Sequence, residues 1–135
     1  MAVEIPEKIR KAIAEPQFWH LATINPDGSP QISTVWVGPK DDKILINTAL
    51  GRKKPRNIEG NPHVALSWVD PENGYHCASI QGRVVDSYTG DNAEKDIDDF
   101  AQKYLGQSPY PWRSPGEQRV SYVIEPTHVY HQDYE

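Results

Sequence analysis

A chain of 135 residues with 37% hydrophobic and 24% charged positions is one domain's worth, with material for a single core. It contains no run of ~18 apolar residues, which excludes a membrane-spanning helix, and its one cysteine, Cys77, excludes an intramolecular disulfide. The 14 basic and 19 acidic residues give a net charge of −5, which argues against a general nucleic-acid binder.

Ile5, Ile9, Ala12 and Ile13 share one helical face, with Pro6 suited to a first turn and the pattern ending before Pro16. This stretch alternates charge with single isoleucines and has no apolar signal-peptide core, so a reducing, cytoplasmic setting is expected. From residue 18 the periodicity is that of strands. Residues 18–24 form the first, Asn25-Pro26-Asp27-Gly28 turns, and residues 31–37 return as a hairpin partner. Gly38-Pro39-Lys40-Asp41-Asp42 turns into residues 43–48, whose apolar centre, Ile44-Leu45-Ile46, predicts burial on both faces. A short helix follows, with Pro55 in its first turn and its end near Gly60-Asn61-Pro62. Val64, Leu66 and Trp68 then alternate along a strand. After the turn at residues 70–74 a long strand spans residues 75–88, where Gly82 signals a bulge or a close backbone approach. A second amphipathic helix begins at Asp91 or Asn92 as cap and turns Ala93, Ile97, Phe100, Ala101 and Tyr104 inward before ending at Gly106. Residues 107–118 read as an ordered loop, and residues 119–124 and 127–134 as two strands separated at Pro126. The pattern predicts one domain over residues 1–135, mainly β (α+β), an antiparallel barrel with flanking helices.

The charge is unevenly distributed. Gly51-Arg52-Lys53-Lys54-Pro55-Arg56-Asn57 holds four of the 14 bases and no acid, leaving 10 bases against 19 acids, or −9, on the other 128 residues. A basic run by itself is more often a solvated helix face. Here it follows a strand ending in Thr48 and opens a helix through a glycine turn. Hydroxyl, unpaired helix-start amides and basic side chains are together the means by which proteins hold phosphate.

No competing constellation emerges. There is no G-x-S-x-G elbow, and the Rossmann and P-loop glycine signatures are absent. Asp96, Asp98 and Asp99 read as the wet side of a helix. His128 and His131 fall on opposite faces of a strand, and His20, His63 and His76 stand alone, so no metal site is expected. Cys77 reads as a packing residue. An anion site without a nucleophile or acid–base pair assigns the chemistry to a bound cofactor, and no catalytic residue is named.

The order Trp19-His20-Leu21-Ala22-Thr23, Asp27-Gly28-Ser29-Pro30-Gln31, Val35-Trp36-Val37, Ile46-Asn47-Thr48, Gly51-Arg52-Lys53-Lys54-Pro55-Arg56-Asn57-Ile58 and Asn61-Pro62-His63-Val64-Ala65-Leu66 resembles the pyridoxamine 5′-phosphate oxidase-like split-barrel superfamily. More narrowly it is similar to the F420-dependent flavin/deazaflavin oxidoreductases of its B group, and Glu125-Pro126-Thr127-His128-Val129-Tyr130 matches the last strand. The resemblance implies an FMN-binding type of split barrel that forms a homodimer, with cofactor sites at the subunit interface. It implies coenzyme F420, or alternatively FMN, as cofactor and a small unsaturated organic molecule as substrate, with no nucleic-acid or membrane partner. Thr48, Arg52, Lys54 and Asn57 match the family's phosphate-side segment, with Lys53 and Arg56 as helpers. Gln31, Ser33, Thr34, Val35 and Trp36 lie on the strand that runs beside the ring system, and Gln81 and Gly82 where the partner subunit approaches. Tyr110, Trp112, Tyr130 and Tyr134 are candidates for the substrate side. The implied activity is hydride transfer from reduced deazaflavin. An FMN-dependent oxidase or reductase and a non-catalytic flavin or deazaflavin binder are the alternatives. True pyridoxamine phosphate oxidase activity is not expected, because the longer C-terminal substrate-binding extension is lacking.

Overall fold

The computed structural model describes residues 2–134. Its elements are α1 (Glu7–Ala14), β1 (Trp19–Ile24), β2 (Pro30–Val35), β3 (Gly38–Lys40), β4 (Lys43–Ala49), α2 (Lys53–Gly60), β5 (His63–Asp70), β6 (Asn73–Thr89), α3 (Asp91–Leu105) and β7 (Arg119–Asp133). All strands join one antiparallel sheet in the order β2-β1-β5-β6-β7-β4-β3. Laid flat, β2 and β4 would be five spacings apart, ~24 Å at ~4.8 Å each. Instead Thr34, Val35 and Trp36 share one cleft with Asn47 and Thr48, so the sheet has rolled into a split barrel. Among the described residues no helix is long and apolar enough to cross a membrane.

Alternation decides what faces the barrel interior. Trp19 and Leu21, Ile44 and Ile46, Val64, Leu66 and Trp68, and Tyr122 and Ile124 meet there under Ile9 and Ile13 of α1. Trp19 stacks on Trp68 with ring centroids 6.1 Å apart and donates its indole N–H to Ala12 O at 3.3 Å. The intervening residues Leu45 and Val123 face outward and are buried beneath Ile97 and Phe100 of α3. The apolar run of β4 is therefore covered on both faces, as its sequence predicts.

Besides shifts of one or two residues at strand ends, three features differ from the sequence reading. The turn expected over residues 38–42 begins with β3, whose three residues pair with the start of β4. Neither Asp91 nor Asn92 caps α3; Gly90 occupies the cap position at φ 80°, and Asp91 and Glu94 instead place carboxylates in the first turn, complementing the helix dipole. The last two strands are one, because Pro126 does not interrupt β7. The pairing of β7 with β4 ends at Ile124, so from Glu125 onward that edge faces no strand, and the missing N–H of Pro126 breaks no ladder bond. Val3 N donates to Pro126 O at 3.0 Å on this open side. Gly82 pairs with Pro126 at a register shift; a Cβ there would meet Ile124 Cγ2 at 2.7 Å and Glu125 O at 2.8 Å, which is the close approach expected of it.

Candidate functional site: an anion-binding cleft with an aromatic wall

The cleft is built where β4 ends and α2 begins. Gly51, at φ 90°, turns the chain out of the sheet, a conformation that glycine adopts without strain. Arg52 takes the cap position and Lys53 opens α2, while Pro55 removes one amide donor from the first turn. Thr48 is 2% exposed, and among the described residues its Oγ1 has no hydrogen-bond partner. A buried hydroxyl of this kind is normally satisfied, so an orphan lining a cleft points to a ligand.

Three bases surround it. Arg119, at the start of β7, donates from Nε to Asn47 Oδ1 at 2.9 Å and from Nη1 to Glu117 Oε1 at 3.0 Å, with its ring neighbour Tyr110 5.2 Å away. Arg52 Nη2 reaches the same Glu117 oxygen at 3.1 Å. Lys54 donates to Ser33 Oγ at 3.4 Å, and among the described residues no carboxylate lies within salt-bridge distance of it. Burial, and then the charges of Arg52 and Arg119, hold the Lys54 ammonium below its ordinary pKa. One carboxylate thus serves Arg52 and Arg119 and none serves Lys54 among the described residues, so the cleft keeps a positive surplus.

An aromatic wall adjoins the bases. Trp36 stacks on Tyr104 at 5.1 Å, meets Tyr110 edge-on at 6.1 Å and lies 6.2 Å from Trp112. The loop carrying Tyr110 and Trp112 is held by α3: Asp98 accepts from Tyr110 N at 2.9 Å and from Arg113 at 3.1 Å, and Glu94 accepts from Arg113 at 2.9 Å. The acidic face of α3 is therefore not merely solvated. Asp96 is also engaged, accepting from Ser121 Oγ at 2.8 Å and from Tyr88, whose phenol is pushed up to about 12 first by burial and then by that carboxylate. Asp99, paired with Lys95, is the exposed member expected.

Six of the twelve residues named from sequence as cofactor-binding line this cleft of about 180 Å³: Thr34, Val35, Trp36, Thr48, Arg52 and Lys54. Ser33 joins through Lys54. The others lie elsewhere in the chain. Gln31 accepts from Thr23 Oγ1 at 3.2 Å. Asn57, 3% exposed, donates to Thr23 Oγ1 at 3.1 Å and Asn25 Oδ1 at 2.9 Å, tying α2 to β1. Lys53 lies in the first turn of α2, and Arg56 lines a separate depression beside Asn25 and Gly28. Gln81 lines a groove of about 650 Å³ with His63 and His128. Tyr110 and Trp112 belong to the cleft, whereas Tyr130 on the far half of β7 and Tyr134 just past its end are exposed. Asn47, Glu117 and Arg119 were not singled out from sequence. The available signal was an arginine heading the apolar run Val120–Ile124, but only the pairing of Thr48 with Val120 brings it to the cleft.

The histidines also differ from expectation. His128 and His131 do not meet, as expected, but His76 is not isolated: its Nε2 lies 3.1 Å from His131 Nε2. Cys77 is a half-buried free thiol.

A rolled antiparallel barrel with α2 at the end of its fourth strand is the FMN-binding split-barrel fold. The chain belongs to the pyridoxamine 5′-phosphate oxidase-like family, whose profile, described as pyridoxamine 5′-phosphate oxidase, matches residues 5–133. It is 32% identical over 120 residues to a pyridoxine/pyridoxamine 5′-phosphate oxidase of Rubrobacter xylanophilus, covering 84% of this chain and 52% of that protein. A namesake from Paracidovorax citrulli is 31% identical over 120 residues, covering 87% and 50%. The chain thus spans about half the length of these curated relatives. A solved structure named F420 reductase superposes with a TM-score of 0.81 at 31% identity, covering 93% of this chain and 98% of that one. HupZ of Group A Streptococcus, at 21% identity and a TM-score of 0.69 over 94% and 93% of the two chains, shares the fold.

Proposed function

We propose that the protein is an oxidoreductase that binds a phosphate-bearing deazaflavin, coenzyme F420, in the cleft between Thr48 and Trp36 and reduces a small unsaturated organic substrate. The observation that carries this reading is the orphaned Thr48 hydroxyl in one cleft with Lys54, an ammonium without a carboxylate partner among the described residues. Both are poised for an anion; Arg52, half-exposed, adds a forked donor able to grip two phosphate oxygens, and Arg119, with Nε and Nη1 spent on Asn47 and Glu117, adds its charge. When bound, the deazaflavin supplies hydride chemistry. The chain's own residues bind and orient: the bases hold the phosphate end, Thr34, Val35 and Trp36 flank the rings, and Tyr110 and Trp112 keep water from the substrate side. No side chain of the cleft is assigned as proton donor, a role open to solvent.

The F420 reading is supported by similarity to the structure named F420 reductase, which superposes over 93% of this chain at 31% identity. In a homodimer, the groove beside Gln81 and Gly82 would receive the partner subunit, and sedimentation of a monomer alone would reject that part.

Titration of the purified protein with F420 and with FMN tests the assignment. Micromolar or tighter F420 binding with weak FMN binding is expected. In the Arg52→Ala/Lys54→Ala double variant the affinity should fall by roughly 2–4 kcal/mol, allowing ~1.5–3 kcal/mol per charge-assisted contact with incomplete additivity. Unchanged affinity moves the anion site elsewhere. A protein that purifies yellow supports the FMN alternative, and bound F420 without turnover of enones or quinones supports a carrier.

A further inference from the structure

The second concentration of chemistry lies at the other end of β6 and β7. His76 pairs with Asp133 and Ala78 with His131, so both histidines and the aspartate project from the same side of the sheet. This is the side of Trp68, whose indole packs edge-on against the His76 ring at 5.0 Å. His76 is largely enclosed, with 13% of its side chain exposed. Its Nδ1 is 3.1 Å from Asp70 Oδ2, and its Nε2 is 3.1 Å from His131 Nε2. The Asp133 carboxylate, which also takes Lys8, lies within 4.8 Å of both imidazole nitrogens.

We propose that His76, His131 and Asp133 form a binding site for a divalent transition-metal cation of the zinc type, with Asp70 as the positioning residue. In the tautomer that donates Nδ1–H to Asp70, the lone pair of His76 Nε2 points toward His131. A carboxylate behind a ligating histidine is the arrangement that fixes ring orientation and raises ligand basicity. A cation ~2.05 Å from both nitrogens would close an N–metal–N angle of about 100°, close to tetrahedral. Two imidazoles and one carboxylate suit zinc, cobalt, nickel or copper, whereas magnesium and calcium call for oxygen-only shells. Three protein ligands leave a fourth position for water. Ligation would pin the free ends of β6 and β7 together.

The test uses tag-free full-length protein freed of metal by chelation and then dialysed against Zn2+, with Mg2+ as control. One Zn2+ per chain, a rise in Tm on loading and tetrahedral absorption on Co2+ substitution are expected. His131→Gln and Asp133→Asn should each bind Zn2+ at least tenfold more weakly, and Asp70→Asn roughly 10–100-fold more weakly. Circular dichroism and unaltered cofactor binding at the distant cleft establish that each variant is folded. Absence of Zn2+ binding by the parent protein overturns the proposal and leaves the two imidazoles as a shared hydrogen bond. Full stoichiometry in a His76→Gln/His131→Gln variant overturns it equally, and undiminished affinity in Asp70→Asn removes the role given to Asp70.

Discussion

Arg119 donates from Nε to Asn47 Oδ1 across 2.9 Å, and Asn47 is itself fixed by donating to Ala93 O and Ser121 Oγ at 3.0 and 2.9 Å. The guanidinium is therefore aimed into the cleft before any ligand arrives. Arg119→Lys keeps the charge and loses the fork. Its affinity for a phosphate-bearing cofactor should fall about tenfold, or ~1.4 kcal/mol, in a fluorescence titration. Equal affinity would mean that a point charge suffices there.

Thr48→Val separates ligand binding from stability. The hydroxyl has no partner among the described residues, so its removal should leave Tm unchanged or raise it. Affinity for the cofactor phosphate should meanwhile fall by roughly 1.5–3 kcal/mol, the range for a hydrogen bond to a charged group. A variant that loses stability and keeps its affinity would return Thr48 to a purely structural role.

Asn57 should behave in the opposite way. Its amide is buried and spent on Thr23 and Asn25, so Asn57→Ala should cost roughly 1–3 kcal/mol in urea unfolding by stranding those groups. The folded variant should bind cofactor as the parent does. A selective loss of affinity would contradict this division of labour.

Lys103 sets a pH dependence. Burial pushes its ammonium down from 10.5 to about 8, and it donates to Val37 O at 2.5 Å and Ile13 O at 3.1 Å. Below pH 8 folded and unfolded chains both carry the proton, and the native state bears the full desolvation cost. Between about 8 and 10.5 the unfolded chain holds a proton that the native chain has shed, so stability rises with pH. Above pH 10 the trend reverses, because the phenols of half-buried Tyr88 and buried Tyr122, pushed up to about 12, keep protons that unfolded tyrosines lose. Melting curves from pH 7 to 9.5 should show the parent gaining on Lys103→Met as pH rises; parallel curves would contradict this assignment.

What could be read from the sequence was local. Ile9 and Ile13, the alternation of Val64, Leu66 and Trp68, and the strand–turn–helix from Thr48 to Lys54 each carry their signal within a few residues, and each lies where that signal puts it. Arg119 and Glu117 stand more than 60 residues from Arg52 and reach it only through the β4–β7 register. His76 and His131 are 55 residues apart and meet because β6 and β7 pair along nearly their full length. Asn57 shows the converse limit. A motif can assign a position to a phosphate segment, but only the helix rotation decides that its amide turns back toward β1.

Past Ile124 the outer rim of β7 is a rail of main-chain donors and acceptors that faces no strand among the described residues, touched on the way by Val3 at Pro126. Such a rail is a template onto which a foreign strand can zip. The segment ahead of the first helix therefore acts as a guard, and shaving it away would make the molecule adhesive toward its neighbours even with its core intact.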